Sequence, residues 1–491
     1  MQIPYLSLLI FTPLVAGVLL LFYPARKRTL IRVTALVAAL ITFVLSVILF
    51  FSYDTAAAGY QFLEKLDWLP SMGISYFVGV DGISVAMELM AGLVVLSGVL
   101  VSWNLEDRPR EFFAFLMFLA ASVYGVFASL DLFQLFFFFE LAVFPKYLMI
   151  VMWGYPKTRE YGAMKLTLYL FLGSMVALVG VLAIYFASGL HTFNLLDLEK
   201  AGFPMEIQKL WFPFIFIGFG VLGGIFPFHS WAPDGHVAAP TAVSMLLAGV
   251  EMKVGAFAAL RVGLMLLPDG MRAWAPLIIV LATINVVYGA FIAMIQTDFK
   301  YVIGFSSVSH MGLVFIGFAT LTPEGLTGAG LQMFSHGVMT ALFFSIVGMV
   351  YDRAHTRNIK ELGGLVKYMP MAMVGFVVGG LVSMGMPGFS GFVAEVPIYI
   401  GAWKTYPLSA IISALSIVVT AAYILLVVRR VFFGEVPQTL PAGIKDVTLA
   451  DKVVIVMLSL VMILIGIFPS LLVPVIQAGV RHILVLTGGA L

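Results

Sequence analysis

The stretch 131-DLFQLFFFFELAVFPKYLMIVMW-153 decides the class of fold, because its 23 residues are almost all apolar. An α-helix of about 20 apolar residues spans the hydrocarbon core of a bilayer. Glu140 and Lys146 nevertheless lie inside this run. A charge at mid-depth in a bilayer costs at least about 2.5–3.5 kcal/mol, so each of these residues needs a partner, water or a function.

The composition of the whole chain agrees with that stretch. Apolar residues make up 62% of the 491 residues and charged residues only 11%, whereas soluble proteins carry about 25% charged residues. We therefore predict an all-α polytopic membrane protein. The net charge of +2 gives no indication of a nucleic-acid partner. The chain has no cysteine, which excludes disulfides, cysteine-ligated iron–sulfur clusters and thiol catalysis.

About 14 transmembrane helices are predicted, joined by short connections. Their approximate ranges are 3–23, 31–52, 80–103, 111–129, 131–153, 162–187, 208–228, 241–265, 273–295, 300–322, 326–350, 369–403, 408–428 and 453–482. Lysine and arginine are concentrated in the odd-numbered connections, which the positive-inside rule places in the cytoplasm. Both termini are then expected on the outer face of a bacterial or archaeal cytoplasmic membrane.

Spans 7 and 12 are predicted to be discontinuous. Span 7 contains Gly223, Gly224 and Pro227, and span 12 contains the sequence GMPG at 385–388. Proline removes a backbone donor and glycine weakens a helix, so both spans should unwind part-way across the membrane. Paired interruptions are typical of internal repeats in transporters. The alternative explanation is that glycine is simply frequent in membrane helices.

The two breaks are five spans apart, which predicts two inverted five-helix repeats. The first repeat is 111–265 (spans 4–8), and the second is 273–428 (spans 9–13). Residues 1–110 would form an N-terminal three-helix segment. Residues 429–491 would form a C-terminal connection and span 14.

Ionisable residues inside the spans form a sparse row. The predicted row consists of Glu140, Lys146, Lys253, His310, His336 and Glu395, with Glu88, Lys165, His229 and Glu251 as accessory residues. No catalytic, metal-binding or phosphate-binding motif accompanies them, so no site of those kinds is predicted. A series of titratable groups in a low-dielectric slab is what a proton relay needs.

Four blocks of sequence resemble the antiporter-like membrane subunits of respiratory complex I. They are HSWAPDGHVAAPTAVSMLLAGVEMKVGAFAALR (229–261), QTDFKYVIGFSSVSHMG (296–312), YDRAHTRNIKELGGL (351–365) and GMPGFSGFVAE (385–395). The HTR at 355–357 and the acidic residue after GMPG are most similar to the subunit M type, the relatives of mitochondrial NADH dehydrogenase subunit 4. The resemblance extends over nearly the whole chain.

The resemblance implies a proton-translocating subunit that carries no cofactor and assembles with other membrane subunits. It implies no direct nicotinamide or quinone site. It also implies a role for each matching residue: a charge coupled to the first half-channel for Glu140, the connecting lysine for Lys253, the central axis for His310 and His336, and the terminal acid for Glu395.

One feature of the family is missing from span 7. The family has a lysine seven residues before the histidine of the P-x-H-x-W block, and here that position is Leu222. Three interpretations stay open. Lys146 is a relocated partner of Glu140, or Glu251 and Lys253 have taken over the switching, or this half does not translocate. Six helical residues separate Lys146 from Glu140 by about 9 Å and about 120°, so contact needs water, a neighbouring helix or a bend.

Two other functions are compatible with the sequence. The chain would belong to a multi-subunit sodium/proton antiporter or a membrane-bound hydrogenase, or it would be a non-pumping spacer. The HTR and GMPG blocks argue against the first, and the retained buried ionisable residues argue against the second.

Overall fold

The computed structural model describes residues 3–57, 59–438 and 440–488. Within these residues, 13 helical segments are long and apolar enough to cross a membrane. Predicted span 12 is present as two shorter helices, so these segments and the broken pair account for the 14 predicted spans. The prediction of an all-α polytopic membrane protein is confirmed.

The helices are numbered in chain order. They are α1 Tyr5–Phe22, α2 Arg28–Ser52, α3 Gly82–Val101, α4 Pro109–Ala128, α5 Leu132–Leu141, α6 Val143–Trp153, α7 Arg159–Ser188, α8 Leu195–Leu198, α9 Met205–Gly223, α10 Trp231–Ala238, α11 Thr241–Leu246, α12 Met252–Ala258, α13 Pro268–Ile295, α14 Phe299–Thr320, α15 Pro323–Ala354, α16 Pro370–Ser383, α17 Ser390–Thr405, α18 Pro407–Val427, α19 Leu449–Ile467 and α20 Val473–Thr487.

Spans 7 and 12 are interrupted, as predicted. In span 7, α9 ends before Gly224, whose φ of +78° suits glycine and strains other residues. The next helix, α10, begins at Trp231, beyond the predicted end of span 7. In span 12, α16 ends before Gly385 and Gly388, which also have positive φ values of +62° and +90°. The span resumes at α17, so span 12 is a pair of half-helices, whereas α9 is long enough to cross a membrane by itself.

Three further spans contain irregular turns that were not predicted. Span 5 divides at Ala142, between α5 and α6. Span 8 contains two π-helical turns, Leu247–Glu251 and Ala259–Leu264, on either side of α12. The prediction of one continuous span over 453–482 is wrong, because a 3₁₀ turn, Pro469–Leu471, separates α19 from α20. Proline cannot donate the backbone hydrogen bond that would continue α19.

A β-hairpin occupies the connection between α2 and α3, where the sequence predicted only a loop. Strand β1, Gln61–Leu69, pairs antiparallel with β2, Ile74–Val80, and Lys65 lies opposite Phe77. Gly73, with a φ of +69°, completes the turn between them. β2 leads directly into α3 and so fixes where that helix begins.

The centre of the bundle is formed by span 8 and α15. The apolar windows of the span 8 segment, Thr241–Leu264, and of α15 are entirely buried, whereas only 33% of the α2 window is buried. Glu251, Lys253 and Arg261 of span 8 and His336 of α15 are therefore shielded by protein, each with at most 1% of its surface exposed. The inverted relation of 111–265 to 273–428, and the domain bounds drawn from it, stay a prediction.

Candidate functional site

A buried salt bridge joins span 5 to span 8. Lys146 on α6 donates from Nζ to Oε2 of Glu251, the last residue of the first π-helical turn. The side chains of Lys146 and Glu251 are 0% and 1% exposed. The sequence predicted Glu140 as the partner of Lys146, and in the structure Glu251 holds that place.

Lys253 begins a second set of contacts, two residues after Glu251. Its Nζ lies 2.5 Å from the carbonyl oxygen of Ala248, inside the π-helical turn, and 2.7 Å from Nδ1 of His336 on α15. The two sides of span 8 therefore face different partners. Glu251 contacts α6, and Lys253 contacts α15.

The contacts continue from His336 towards span 12. The ring centroids of His336 and His310 are 5.3 Å apart. His310 Nδ1 lies 3.4 Å from Oε1 of Glu395 on α17. His310 also contacts Ser383 Oγ through Nε2 at 2.9 Å and Gln332 Nε2 through Nδ1 at 3.3 Å.

The structure thus brings five of the six predicted row residues into one buried series, with Glu251 as an additional member. In order, the series is Lys146, Glu251, Lys253, His336, His310 and Glu395. Groups of this kind can pass a proton from one to the next when their hydrogen-bond contacts open and close. The series ends at the interruption of span 12, because Glu395 lies on α17 and Ser383, which contacts His310, is the last residue of α16. Irregular backbone at membrane depth is typical of ion sites in transporters.

Glu140 lies beside this series without a recorded hydrogen bond to it. It is the penultimate residue of α5 and is only partly buried, yet its Oε1 is inaccessible and has no hydrogen-bond partner among the described residues. Lys146 lies six residues later on the same span. Glu140 is therefore a second carboxylate on the span that carries Lys146.

The other three accessory residues, Glu88, Lys165 and His229, lie apart from the series. Both carboxylate oxygens of Glu88, on α3, are buried and lack a partner among the described residues. Lys165 donates to Asp234 Oδ2 at 2.6 Å and so ties α7 to α10. The His229 ring lies 5.5 Å from the Phe226 ring and 5.1 Å from the Tyr288 ring, in the gap of span 7.

Sequence reasoning missed two basic residues near one end of the bundle. Both ring nitrogens of His236, on α10, are buried without a partner among the described residues. Lys300, in the first turn of α14, donates to the carbonyl of Ala239 at 2.5 Å. Lys300 also lines a cavity of about 850 Å³, together with Asp352 and Arg357. The position of Lys300 at the edge of a predicted span hid it, because a lysine there normally reaches the surface.

Arg357, the last residue of the HTR block, contacts three separate segments of the chain near this cavity. The Arg357 guanidinium lies 4.1 Å above the Tyr155 ring and 3.3 Å from Asp298 Oδ2. It also donates to the carbonyl of Val237 at the end of α10, at 2.9 Å. Arg357 therefore joins the connection after α15 to the end of span 7.

A separate charged cluster lies at the N-terminal end of α3, whereas the cavity lies at the C-terminal end of that helix. Arg261, in the second π-helical turn, donates to Asp81 Oδ2 and to the Tyr60 hydroxyl, both at 2.8 Å. Tyr60 in turn donates to Glu199 Oε1 at 2.8 Å. Burial raises the pKa of Tyr60 well above its usual value despite the charge of Arg261, so the hydroxyl stays a donor at neutral pH. This cluster fastens the hairpin connection to the end of span 8.

Within 3–57, 59–438 and 440–488, no group of three or more His, Cys, Asp or Glu residues is placed to hold a metal ion.

Interrupted membrane helices around a buried series of lysine, histidine and glutamate define a class, the multi-pass membrane proteins that carry ions. Comparison with known proteins makes this class specific. The chain belongs to the NADH:quinone oxidoreductase/Mrp antiporter transmembrane family, whose model matches residues 129–433. The resemblance drawn from the four sequence blocks is thereby confirmed.

Curated relatives carry the name of one chain type. The chain is 37% identical over 442 residues to NAD(P)H-quinone oxidoreductase chain 4-2 of Synechocystis, covering 88% of this chain and 78% of the relative. It is 37% identical over 482 residues to chain 4 1 of Picosynechococcus, covering 96% and 90%. These relatives are named as chains of an NAD(P)H-quinone oxidoreductase.

Solved structures share the fold over nearly the full length. A chain of respiratory complex I from Thermus thermophilus superposes with a TM-score of 0.88 at 30% identity, covering 97% of this chain and 99% of that one. A chain of the Mrp complex from Dietzia superposes with a TM-score of 0.86 at 20% identity, covering 99% and 100%. The second match shows a common fold alone.

Proposed function

We propose that this chain is a proton-translocating, antiporter-like membrane subunit of a complex I-type NAD(P)H- or other donor–quinone oxidoreductase. The observation that carries the proposal is the buried series from Lys146 to Glu395, which crosses the central helices of the bundle. Burying six ionisable side chains in a membrane protein is costly, and proton transfer is the use that accounts for their mutual contacts.

The redox reaction belongs, in this proposal, to other subunits. This chain would hold no cofactor and no quinone, and would assemble with further membrane subunits in a bacterial or archaeal cytoplasmic membrane. Its arginine- and lysine-rich connections would face the cytoplasm, with both termini outside. The cavity next to Lys300 would then open on the cytoplasmic side, since it is lined by the connections 102–107, 154–156 and 445–451.

In the proposed relay, Lys253 takes and releases the proton that passes between the halves. Its Nζ contacts His336 Nδ1, so a proton leaving Lys253 has an acceptor at hydrogen-bond distance. From His336 the next group is His310, whose contacts with Glu395 and Ser383 hold its ring in place. Each residue in this account binds or moves a proton, and none of them makes or breaks a bond to carbon.

The experiment measures proton movement by the assembled complex in sealed membrane vesicles, with a pH-sensitive dye and with donor and quinone supplied. Lys253→Met should lower the number of protons moved per quinone reduced. Lys404→Met is the matched control, since Lys404 forms an exposed salt bridge with Glu324 and should leave the ratio unchanged. Full pumping by Lys253→Met would contradict the proposal and favour a spacer.

The antiporter alternative is tested in the same vesicles. The fold match to the Mrp complex keeps this alternative in view, although at 20% identity it gives no support for a substrate. A proton gradient that forms equally with and without sodium supports a proton carrier. A gradient that requires sodium on the opposite side would favour a sodium/proton antiporter.

A further inference from the structure

We propose that Lys146 and Glu251 form the switching ion pair of the first half, in place of the lysine that span 7 lacks at Leu222. This inference rests on the proposed function, because it assigns to the pair the control of the proton on Lys253. It differs from both of the pairings that the sequence indicated, since it joins a lysine of span 5 to a carboxylate of span 8.

The burial of the pair argues that it is more than a packing contact. Lys146 and Glu251 are completely enclosed, and Glu251 Oε1 has no hydrogen-bond partner among the described residues. Two charges removed from water recover their solvation cost only when geometry and further hydrogen bonds are favourable, and a pair of apolar residues is often as stable. A half-satisfied pair at this depth is therefore an expensive way to hold two helices together.

The position of Glu251 gives the pair its leverage over Lys253. Glu251 and Lys253 are two residues apart on span 8, and their side chains contact opposite partners. Charges two residues apart on one helix interact strongly in a low-dielectric interior. While Lys146 is bound, it neutralises Glu251. When Lys146 withdraws, the bare carboxylate of Glu251 stabilises the ammonium form of Lys253. When Lys146 returns, this stabilisation is lost, which favours release of the proton from Lys253 towards His336.

Span 5 is built to let Lys146 move. The helix is divided at Ala142, which itself keeps helical φ and ψ values, and Pro145, in the first turn of α6, has no N–H to donate to the preceding turn. A proline at such a place allows a bend between α5 and α6. Glu140 Oε1 lacks a partner among the described residues, so it offers Lys146 a second acceptor on the other side of the break. The alternatives for Lys146 are thus a closed pair with Glu251 and an open pair with Glu140.

The π-helical turn supports a mobile span 8 at the same point. Glu251 ends the turn Leu247–Glu251, and Lys253 donates to the carbonyl of Ala248 within it. Single π-helical turns inside α-helices are frequent at functional sites, because they leave carbonyl groups free to accept other donors. The irregular turn and the ion pair therefore meet at one residue.

Position 222 provides the sharpest test. Leu222 is buried against Gly255, since a methyl group built on Gly255 would lie 2.8 Å from Leu222 Cβ. Gly255 is four residues after Glu251 and lies on the same face of span 8. A lysine at 222 would therefore approach Glu251 from span 7 and could replace Lys146 as its partner.

The variants are compared in the vesicle assay described above. Lys146→Met should lose proton pumping while quinone reduction persists, and Lys146→Met/Leu222→Lys should recover it. Lys146→Met/Leu222→Met is the matched control, since it alters position 222 without adding a charge and should stay defective. Pumping at the parental level by Lys146→Met, or no recovery by Leu222→Lys, would overturn the inference.

A variant without either charge covers the case in which Lys146→Met fails to assemble. Lys146→Met/Glu251→Met leaves no bare charge, so it should assemble. We expect an assembled complex that has lost pumping, whereas parental pumping would show that the pair is only structural.

The inference and the proposed function fail in different ways. If Lys253→Met loses pumping while Lys146→Met/Glu251→Met retains it, the subunit is a proton carrier and the pair is not its switch. If neither variant affects pumping, the proposed function itself is wrong.

Discussion

The first half, the predicted repeat 111–265, and the second half, the predicted repeat 273–428, hold their buried ionisable residues in different ways. In the first half, 111–265, Lys146 and Glu251 meet in a direct salt bridge with a single partner each. In the second half, 273–428, the Glu395 carboxylate lies 3.4 Å from a histidine that also contacts Ser383 and Gln332. The first arrangement joins two side chains through a single contact, and the second distributes the contacts of one histidine over three groups.

The difference predicts how each half should respond to the loss of one contacting side chain. A direct pair of full charges behaves as a unit, because the loss of one member leaves the other bare in the interior. A histidine with three contacts can lose one of them and keep the others. The first half is therefore suited to switching between two states, and the second half to passing a proton along.

The largest expected effect comes from breaking the direct pair. Lys146→Met should destabilise the protein by about 3–5 kcal/mol, because it leaves Glu251 buried without a counter-charge. The measurement is the thermal unfolding midpoint of the purified assembly in detergent. Lys404→Met, which removes an exposed salt bridge, should change stability by only about 0–1 kcal/mol. Equal midpoints for the two variants would contradict the contrast.

Closer packing of spans 7 and 8 should come next in size. Gly255→Ala places a methyl group 2.7 Å from the backbone carbon of Leu222, so the spans must move apart. Overpacking of this kind costs about 1–3 kcal/mol. Gly98→Ala is the control, since its methyl group would meet Ala242 at an ordinary 3.5 Å. If Gly98→Ala lowers the unfolding midpoint as much as Gly255→Ala does, the expected overpacking between spans 7 and 8 is contradicted.

The second half should tolerate the loss of its carboxylate better than the first. Glu395→Gln keeps the shape of the side chain, and His310 keeps Ser383 and Gln332, so we expect a cost of about 1 kcal/mol. Proton pumping should nevertheless fall, because an amide cannot take up the proton. Unfolding and vesicle measurements on the same preparation check both statements. Destabilisation as large as that of Lys146→Met would remove the distinction between the halves.

The smallest effect is expected for an exposed carboxylate that lies outside the buried series. Hydrogen bonds from Thr356 and Asn358 lower the pKa of Glu361, in the connection after α15, below its usual 4.5. Its contribution is therefore complete above pH 4.5 and is lost as the pH falls through the lowered value. Unfolding of parent and Glu361→Gln across a pH series should differ slightly at neutral pH and converge in acid. A stability difference between the two proteins that grows as the pH falls would contradict the lowered pKa of Glu361.

Much of the fold was predictable because membrane helices have a strong local signal. Runs of apolar residues locate a span almost independently of its neighbours, and the glycines and proline of spans 7 and 12 marked their breaks. The hairpin β1–β2 was missed because its strands lie in a connection with a mixed pattern. The division of span 5 at Ala142 was not predicted as a break, although Pro145, three residues later, indicates a bend in this span.

The candidate site was predictable in its members and not in its pairing. Buried lysine, histidine and glutamate stand out in apolar spans, so five of the six residues of the series were predicted as a row and Glu251 as an accessory. Lys300 and His236 escaped, since each lies near a predicted helix end, where an ordinary solvated residue is expected. The roles of all these residues in proton transfer stay a prediction.

The sequence by itself determined that the chain crosses the membrane many times, that two of its spans break, and that ionisable residues lie at depth. Each of these follows from local composition, because hydrocarbon penalises a charge or an unbonded backbone group wherever it occurs. The tertiary structure alone decided that Lys146 binds Glu251 and that Oε1 of Glu140 has no hydrogen-bond partner among the described residues. Lys146 and Glu251 are 105 residues apart. Their contact depends on how α6 and span 8 are rotated and packed against each other, which no periodicity within either helix records.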